Sequence, residues 1–279
     1  MSGTDPVGPD DQIVRRLTAV VPVRNGEALL PGCLAALDRN GVGNVVVVDG
    51  RSSDRSWTIA VEHGAMVVSD EGRGLPYARA LGARTATTDL VLLVDVDVVF
   101  PDGGVAALVR EFLSGGYAAL QAGQESVGGP GYWGRALANH HRTGRSRHWF
   151  GLVATVFRRD ELLSIGFDDE FRSGEDIELR WRLRALGRPA GVSRGVVVQH
   201  RFGGDDFAFA KDQFLMDGAG LGLMVRRNGV RGLRLALLPA AAAVRGMVLS
   251  SVHGEGRWLR YYGAFAWWNY VGMARGVRT

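Results

Sequence analysis

LVLLVDVDVVF, residues 90–100, sets two carboxylates into an otherwise unbroken apolar run. Its length and β-branched content read as a strand covered on both faces, as strands of parallel sheets are. Yet Asp95 and Asp97 stand one residue apart with no lysine, arginine or histidine among their neighbours in the run. A buried unpaired carboxylate is costly, so the pair must emerge at the strand end or meet a cation. Alternation along a strand turns residues two apart to the same face, which offers two oxygen-rich arms to a hard divalent ion. A shorter strand ending at Val94, with both aspartates solvating the loop before Pro101, satisfies the same letters.

Working outward, RLTAVVPV (16–23), NVVVVDG (44–50) and AMVVSD (65–70) read as three further strands. Helical patterns separate them: EALLPGCLAALDRNG (27–41), SDRSWTIAVEHG (53–64) with a cap at Ser53 or Asp54, LPYARALGARTA (75–86), and DGGVAALVREFLSG (102–115) after the opening run. Strands alternating with single helices specify crossover units, hence an α/β fold with a doubly wound, mostly parallel sheet and helices on both faces. The rhythm changes at QAGQESVGGPGYWGRA (121–136), whose glycines predict a mobile loop, with Tyr132 and Trp133 placed to close over a ligand or simply to lie at the surface. A short strand near LVATVF, a helix EDIELRWRLRALG, a strand GVVVQH and a largely helical tail follow.

The chain has 279 residues, a net charge of +4, and 46% hydrophobic and 22% charged residues, an ordinary globular balance that can bury a core. Lys211 is the only lysine among the basic residues, and Cys33 the only cysteine, so no internal disulfide forms. The polar, acidic start MSGTDPVGPDDQ is unlike a secretory signal, which points to a reducing cytoplasm. LRLALLPAAAAVRGMVLSSV (233–252) is broken as a membrane span by Arg234, Pro239 and Arg245. In RWLRYYGAFAWWNYVGMARGVR (257–278), Trp258, Tyr262, Phe265 and Trp268 fall on one helical stripe between arginines. That stripe suits peripheral contact with the inner face of a membrane, or packing against the catalytic domain or another subunit. Nothing points to nucleic acid as a partner.

Ligands of open parallel sheets bind beyond the carboxyl ends of the strands. That rule gathers Pro22, Arg24 and Asn25 after the first strand, Asp49 and Arg51 after the second, and Asp95 and Asp97 after the fourth. Each has a plain alternative: Asn-Gly makes turns, and Asp49 can cap a helix. No Gly-x-Gly-x-x-Gly follows the first strand and no lysine sits in a phosphate-cradling loop, so dinucleotide oxidoreductases and P-loop NTPases lack their signatures.

Four motifs carry a resemblance: VVPVRNGEALLPGCLAAL, VVVVDGRSSDRS, YARALGARTATTDLVLLVDVDV and GFDDEFRSGEDIELRWRLRALG. In this order they resemble the family 2 glycosyltransferases of GT-A fold, over roughly residues 17–200. The resemblance implies transfer of a sugar from a nucleoside diphosphate donor to a hydroxyl acceptor, usually with inversion, using a divalent metal such as Mn²⁺ or Mg²⁺. Residue by residue, it places Pro22 and Arg24 at the nucleobase and Asp49 at the base or ribose. Arg79 approaches the nucleotide, Asp95 faces ribose, and Asp97 faces the metal. Glu27 and Val96 fall within the same donor-binding motifs, and Asp95 joins Asp97 as a metal ligand. Asp176 stands where the family has its catalytic base, with Glu175 beside it for acceptor hydroxyls; acidic residues are also simply favoured at a helix start. His200 is a candidate metal ligand, against the commoner structural histidine. The corresponding division of the chain is a disordered leader 1–12, a nucleotide-sugar-binding half 13–122, an acceptor and catalytic half 123–228 and a C-terminal helical region 229–279. Departures lie around the nucleobase: Gly50 where the family often has a second aspartate, Arg24 in place of an aromatic, and Ala80 in place of asparagine. A sugar-nucleotide-binding protein without catalysis, or a nucleotidyltransferase of similar architecture, are the alternatives.

Overall fold

The structure is a computed structural model that describes residues 9–143, 149–171 and 173–278. Its strands are β1 (Leu17–Val23), β2 (Asn44–Asp49), β3 (Met66–Ser69), β4 (Leu90–Val94), β5 (Val98–Val99), β6 (Ala119–Val127), β7 (Ala154–Arg158) and β8 (Ala190–Arg201). The α-helices are α1 (Pro9–Arg15), α2 (Leu30–Arg39), α3 (Ser56–Glu62), α4 (Leu75–Thr85), α5 (Gly104–Ser114), α6 (Tyr132–Thr143), α7 (Arg159–Ile165), α8 (Glu175–Ala185), α9 (Phe207–Asn228), α10 (Leu238–Val252) and α11 (Leu259–Arg278). They form two compact units, one drawn from Met1–Glu125, His148–Asp169 and Leu179–Gly203, the other from Ser126–Arg147, Glu170–Glu178 and Gly204–Thr279. The units therefore do not follow the contiguous boundaries read from the sequence, because β7 and β8 return to the first. Of the leader, residues 1–8 lie outside the described residues, while 9–12 are helical rather than disordered, the opening of α1.

The first unit is built on an eight-stranded sheet in the order β3-β2-β1-β4-β7-β6-β8-β5. The parallel core is β3-β2-β1-β4, with Val23 level with Asp49 so that β1 and β2 end together. β1 and β4 are buried along their whole length, as their unbroken apolar sequences require. Beyond β4 the sheet is mixed: β7 runs antiparallel to β4 and to β6, and β8 antiparallel to β5. One layer of core packs Leu30, Leu34 and Leu37 of α2 with Val105, Leu108 and Phe112 of α5, and the opposite layer packs Ala78 and Ala83 of α4 with Leu179 and Leu183 of α8. Neither Ser53 nor Asp54 is the N-cap of α3; that residue is Arg55, and Asp54 instead accepts from the N–H and hydroxyl of Ser56.

Glycine governs the second unit. A Cβ at Gly218 of α9 would lie 2.0 Å from the Asn269 carbonyl oxygen of α11, and one at Gly276 2.0 Å from that of Ala219, so the two helices meet backbone to backbone. The predicted mobile loop is largely absent: β6 continues to Val127 and α6 begins at Tyr132. Its glycines serve close approach instead, since Cβ atoms at Gly129, Gly131 and Gly134 would come within 2.8 Å, 2.6 Å and 2.7 Å of Asp205. Tyr132 donates its hydroxyl to the Arg257 carbonyl at 2.6 Å, and Trp133 is buried among aromatic rings, so neither ring is a free lid. The tail stripe is likewise turned inward at Trp258 and Tyr262, both buried. Residues Leu233–Val252, a 3-10 turn followed by α10, do make an apolar stretch long enough to cross a membrane, contrary to the interrupted reading, and 28% of it is buried.

Candidate active site

The carboxyl ends of β1, β2 and β4 bring the expected residues to one edge of the first unit. After Val94 the chain leaves the strand: the Val98 N–H bonds to the Asp95 carbonyl at 3.0 Å, closing a β-turn over Val96 and Asp97. The aspartates thus sit on a turn, not on one face of a continuous strand, because aspartate is favoured at the first turn position and the run is cut at Val94. They are not left to solvent alone either, being 26% and 23% exposed. Arg79, on the inner face of α4 and 1% exposed, donates Nη2 to Asp95 Oδ1 at 2.8 Å, and His200 Nε2 lies 3.1 Å from Asp97 Oδ2. Sequence neighbours supply neither cation. α4 delivers one from 16 residues back, and the antiparallel register Val98 to His200 delivers the other from β8.

Burial raises the Asp95 carboxyl to about 6, with Arg79 pulling down and Asp97 pushing up. For His200, burial disfavours the imidazolium, but the charge and hydrogen bond of Asp97, helped by Asp95, outweigh it and lift the pKa above the ordinary histidine value. Several polar atoms here are buried without a partner: Asp97 Oδ1, His200 Nδ1, Asp49 Oδ1, and Nε and Nη2 of Arg201. Leaving such groups unmade is costly unless a ligand completes them. Arg201 follows His200, its backbone N–H bonds to the Asp97 carbonyl at 2.8 Å, and its guanidinium lies where a Cβ at Gly32 would be, 2.5 Å from Nη2. Sequence reasoning missed this arginine, although its place after a histidine at the end of an apolar strand was a signal. Cys33 is buried beside them, its thiol pushed up to about 12 by burial and by the charges of Asp97 and Asp95, and is an inert packing residue.

Nearer β1 and β2, Asp49 is buried and accepts from the Ser52 N–H at 3.0 Å. Pro22 is buried in β1, and Arg24 is exposed just beyond it. Gly50 fits closely under Arg24, whose Cβ would be 3.3 Å from an added Cβ. Asn25, with φ +52°, receives the Ser53 N–H at 2.8 Å, and Glu27 receives that of Arg55 at 3.1 Å. Both therefore brace the loop after β1 against the loop after β2, a positioning role for Glu27. Val96 packs over Gly26, where a Cβ would be 3.2 Å from its Cγ2.

In the second unit, Glu175 and Asp176 open α8 after Gly174, whose φ of +81° turns the chain. The turn presses on α9 so closely that a Cβ at Gly220 would lie 2.3 Å from the Ser173 carbonyl oxygen. Asp217, in the apolar α9, joins them: crowding by the surrounding protein, then the charges of Asp176 and Glu175, raise its carboxyl to about 7 although it opens to solvent. The lone acid in FLMDGAGLGLM was its trace in the sequence.

Among the described residues no group of three or more His, Cys, Asp or Glu converges into a metal cage. Asp97, with its unpartnered Oδ1, and His200 beside it are the residues here that could hold a divalent ion.

Residues 18–165 match the model of glycosyl transferase family 2. The chain belongs to this family. An uncharacterized glycosyltransferase of Mycobacterium tuberculosis is 33% identical over 179 residues, 61% of this chain and 80% of that protein. Among solved structures, the mannosyltransferase PcManGT of Pyrobaculum calidifontis, in complex with GDP-Man and Mn²⁺, superposes with a TM-score of 0.67 at 18% identity, covering 94% of this chain and 87% of that one. Glucosyl-3-phosphoglycerate synthase of Mycobacterium tuberculosis, with Mn²⁺, UDP-glucose and phosphoglyceric acid, gives 0.56 at 20% identity over 81% and 86%. The family 2 protein described here is accordingly a glycosyltransferase of GT-A fold, and the mixed eight-stranded sheet with its helical C-terminal region is that fold.

Proposed function

We propose that the enzyme transfers a sugar from a nucleoside diphosphate donor to a hydroxyl acceptor, with inversion and with a divalent ion, Mn²⁺ or Mg²⁺, held by Asp97 and His200. The observation that carries this reading is the cluster of unsatisfied buried groups at the sheet edge: an acceptor oxygen on Asp97, a ring nitrogen on His200 and two guanidinium N–H-bearing atoms on Arg201. That set suits a metal diphosphate, with Arg201 taking phosphate oxygens. A divalent ion held by Asp97 and His200 would supply neutralisation of the charge on the departing diphosphate. Asp95, fixed by Arg79, and Asp49, with one free oxygen, are suited to ribose hydroxyls and the base; Pro22 and Arg24 form the wall beyond them. The structures of similar fold bound to sugar nucleotides and Mn²⁺ support the donor class.

Asp176 takes the acceptor hydroxyl proton as the new glycosidic bond forms, and Glu175 orients the acceptor. A carboxylate in this role contributes on the order of 10²–10⁴-fold to the rate. The acceptor class is a hydroxyl of a glycan, a lipid-linked intermediate or a natural product, and the setting is the cytoplasm.

Asp176→Asn is the test. Turnover should fall by that factor, while the Mn²⁺-dependent rise in melting temperature given by the donor, found by screening sugar nucleotides, is retained. Normal turnover in this variant would remove Asp176 from the mechanism, and a donor that binds equally without metal would remove the ion.

A further inference from the structure

The apolar surface of the second unit faces outward where a helix ordinarily hides it. On α10 the residues turned inward are small: Pro239, Ala243, Gly246 and Ser250 are buried, with Gly246 so close to the Tyr262 ring that a Cβ would sit 2.1 Å from it. The outward face carries Leu237, Val244, Val248 and Val252 at helical spacing, and Val244 and Val248 are 62% and 55% exposed. α11 adds Trp267 and Tyr270 on a second exposed line, joined to the first because the Tyr270 hydroxyl donates to the Ala236 carbonyl at 2.9 Å. Monomeric soluble proteins rarely leave such a contiguous apolar face to water.

From this face we infer that the second unit lies on a bilayer leaflet bearing anionic headgroups. Charge selects this occupant. Between Arg226 and Arg278 the sequence holds nine arginines and one carboxylate, Glu255. Arg231, Arg234 and Arg245 are exposed beside the apolar line. Guanidinium groups flanking an apolar stripe, with tryptophan at its margin, match headgroups above an acyl boundary. A second copy seated on the same surface would set one arginine field against another, which a two-fold contact cannot relieve. The stretch is long enough to span, but its inner side is occupied by Tyr262, so the helix lies in the interface plane instead of crossing it. The stripe differs from the one expected of the tail, whose Trp258 and Tyr262 are interior.

The inference is independent of the transfer chemistry and is tested apart from it. Full-length protein is sedimented with vesicles of phosphatidylcholine alone and of phosphatidylcholine with a quarter phosphatidylglycerol, at low and raised salt. It should pellet with the anionic vesicles, weakly with the neutral ones, and less as salt rises. The double substitution Val244→Glu and Val248→Glu should lower partitioning at least about tenfold, the order expected for losing one buried valine. Its thermal melt should stay that of the wild type, because both positions are exposed. Wild-type protein remaining in the supernatant with both vesicles, or a double variant that pellets like the wild type, would overturn the inference. So would a dimer by light scattering that the double variant dissociates, since a second copy would then be the occupant.

Discussion

Arg79 Nη2 meets Asp95 Oδ1 at 2.8 Å, with the arginine 1% and the aspartate 26% exposed. The pair is a buried anchor for the turn that carries Asp97. Breaking one partner of such a pair leaves an uncompensated charge, so Arg79→Met should lower unfolding free energy by about 3 kcal/mol, read from the urea midpoint at unchanged slope. Adding Asp95→Asn should recover part of it, because the stranded carboxylate is then gone.

Arg201 holds two unpartnered nitrogen atoms next to the Asp97 turn. Replacing it by Gln should raise the donor KM by at least about tenfold and weaken nucleoside diphosphate protection against heat, while the fold stays cooperative. An unchanged KM would place the arginine outside the donor site.

Asp217 places a third carboxyl beside Glu175 and Asp176, and their charges help raise it to about 7. It ionises as pH rises through that value, so it adds negative charge next to Asp176 only above neutrality. Asp217→Asn should leave the acidic limb of the kcat/KM profile in place and alter the profile only above neutrality, where the wild-type group is charged. The same variant should gain more melting temperature at pH 8 than at pH 5. The wild-type group holds a proton longer folded than unfolded, so stability is lost as pH rises from 3.8 towards 7.

His140 has the opposite sign. It packs among Tyr261, Tyr262 and Phe265, and burial, with the nearby charge of Arg245, lowers its pKa to about 4. Below 6.5 the unfolded chain takes up a proton that the folded chain refuses, so stability is full above that pH and falls on acidification towards 4. The loss is at most about 3 kcal/mol. Melting curves of His140→Phe between pH 7 and pH 4 should lack this slope.

The parallel core was legible because β1, β2 and β4 are unbroken apolar runs and the helices between them keep a helical period. The turn at Asp95 was not, since LVLLV and LVLLVDVDVV differ only in where pairing stops, and pairing depends on β7 and β8 far along the chain. The same distance hid the cations: nothing around Asp97 foretells His200, except through the likeness of the whole motif set. The glycines of residues 128–134 were read as freedom when they mark close approach to Asp205, a distinction that sequence alone does not make. The tail aromatics showed a stripe but not its direction, and in a helix hydrophobic all round the direction is set by its partners.

The seat of β7 between β4 and β6 has a consequence for synthesis. As the chain leaves the ribosome, β4 emerges with one flank bare, an apolar edge of the kind that recruits other strands. It stays bare until residues 154–158 appear, and the Asp97–His200 contact waits for β8. The nascent enzyme therefore carries an open ledge from the appearance of β4 until that of β7, and no assembled chemistry until β8 follows, and it is over the first of these intervals that holdase chaperones should bind it.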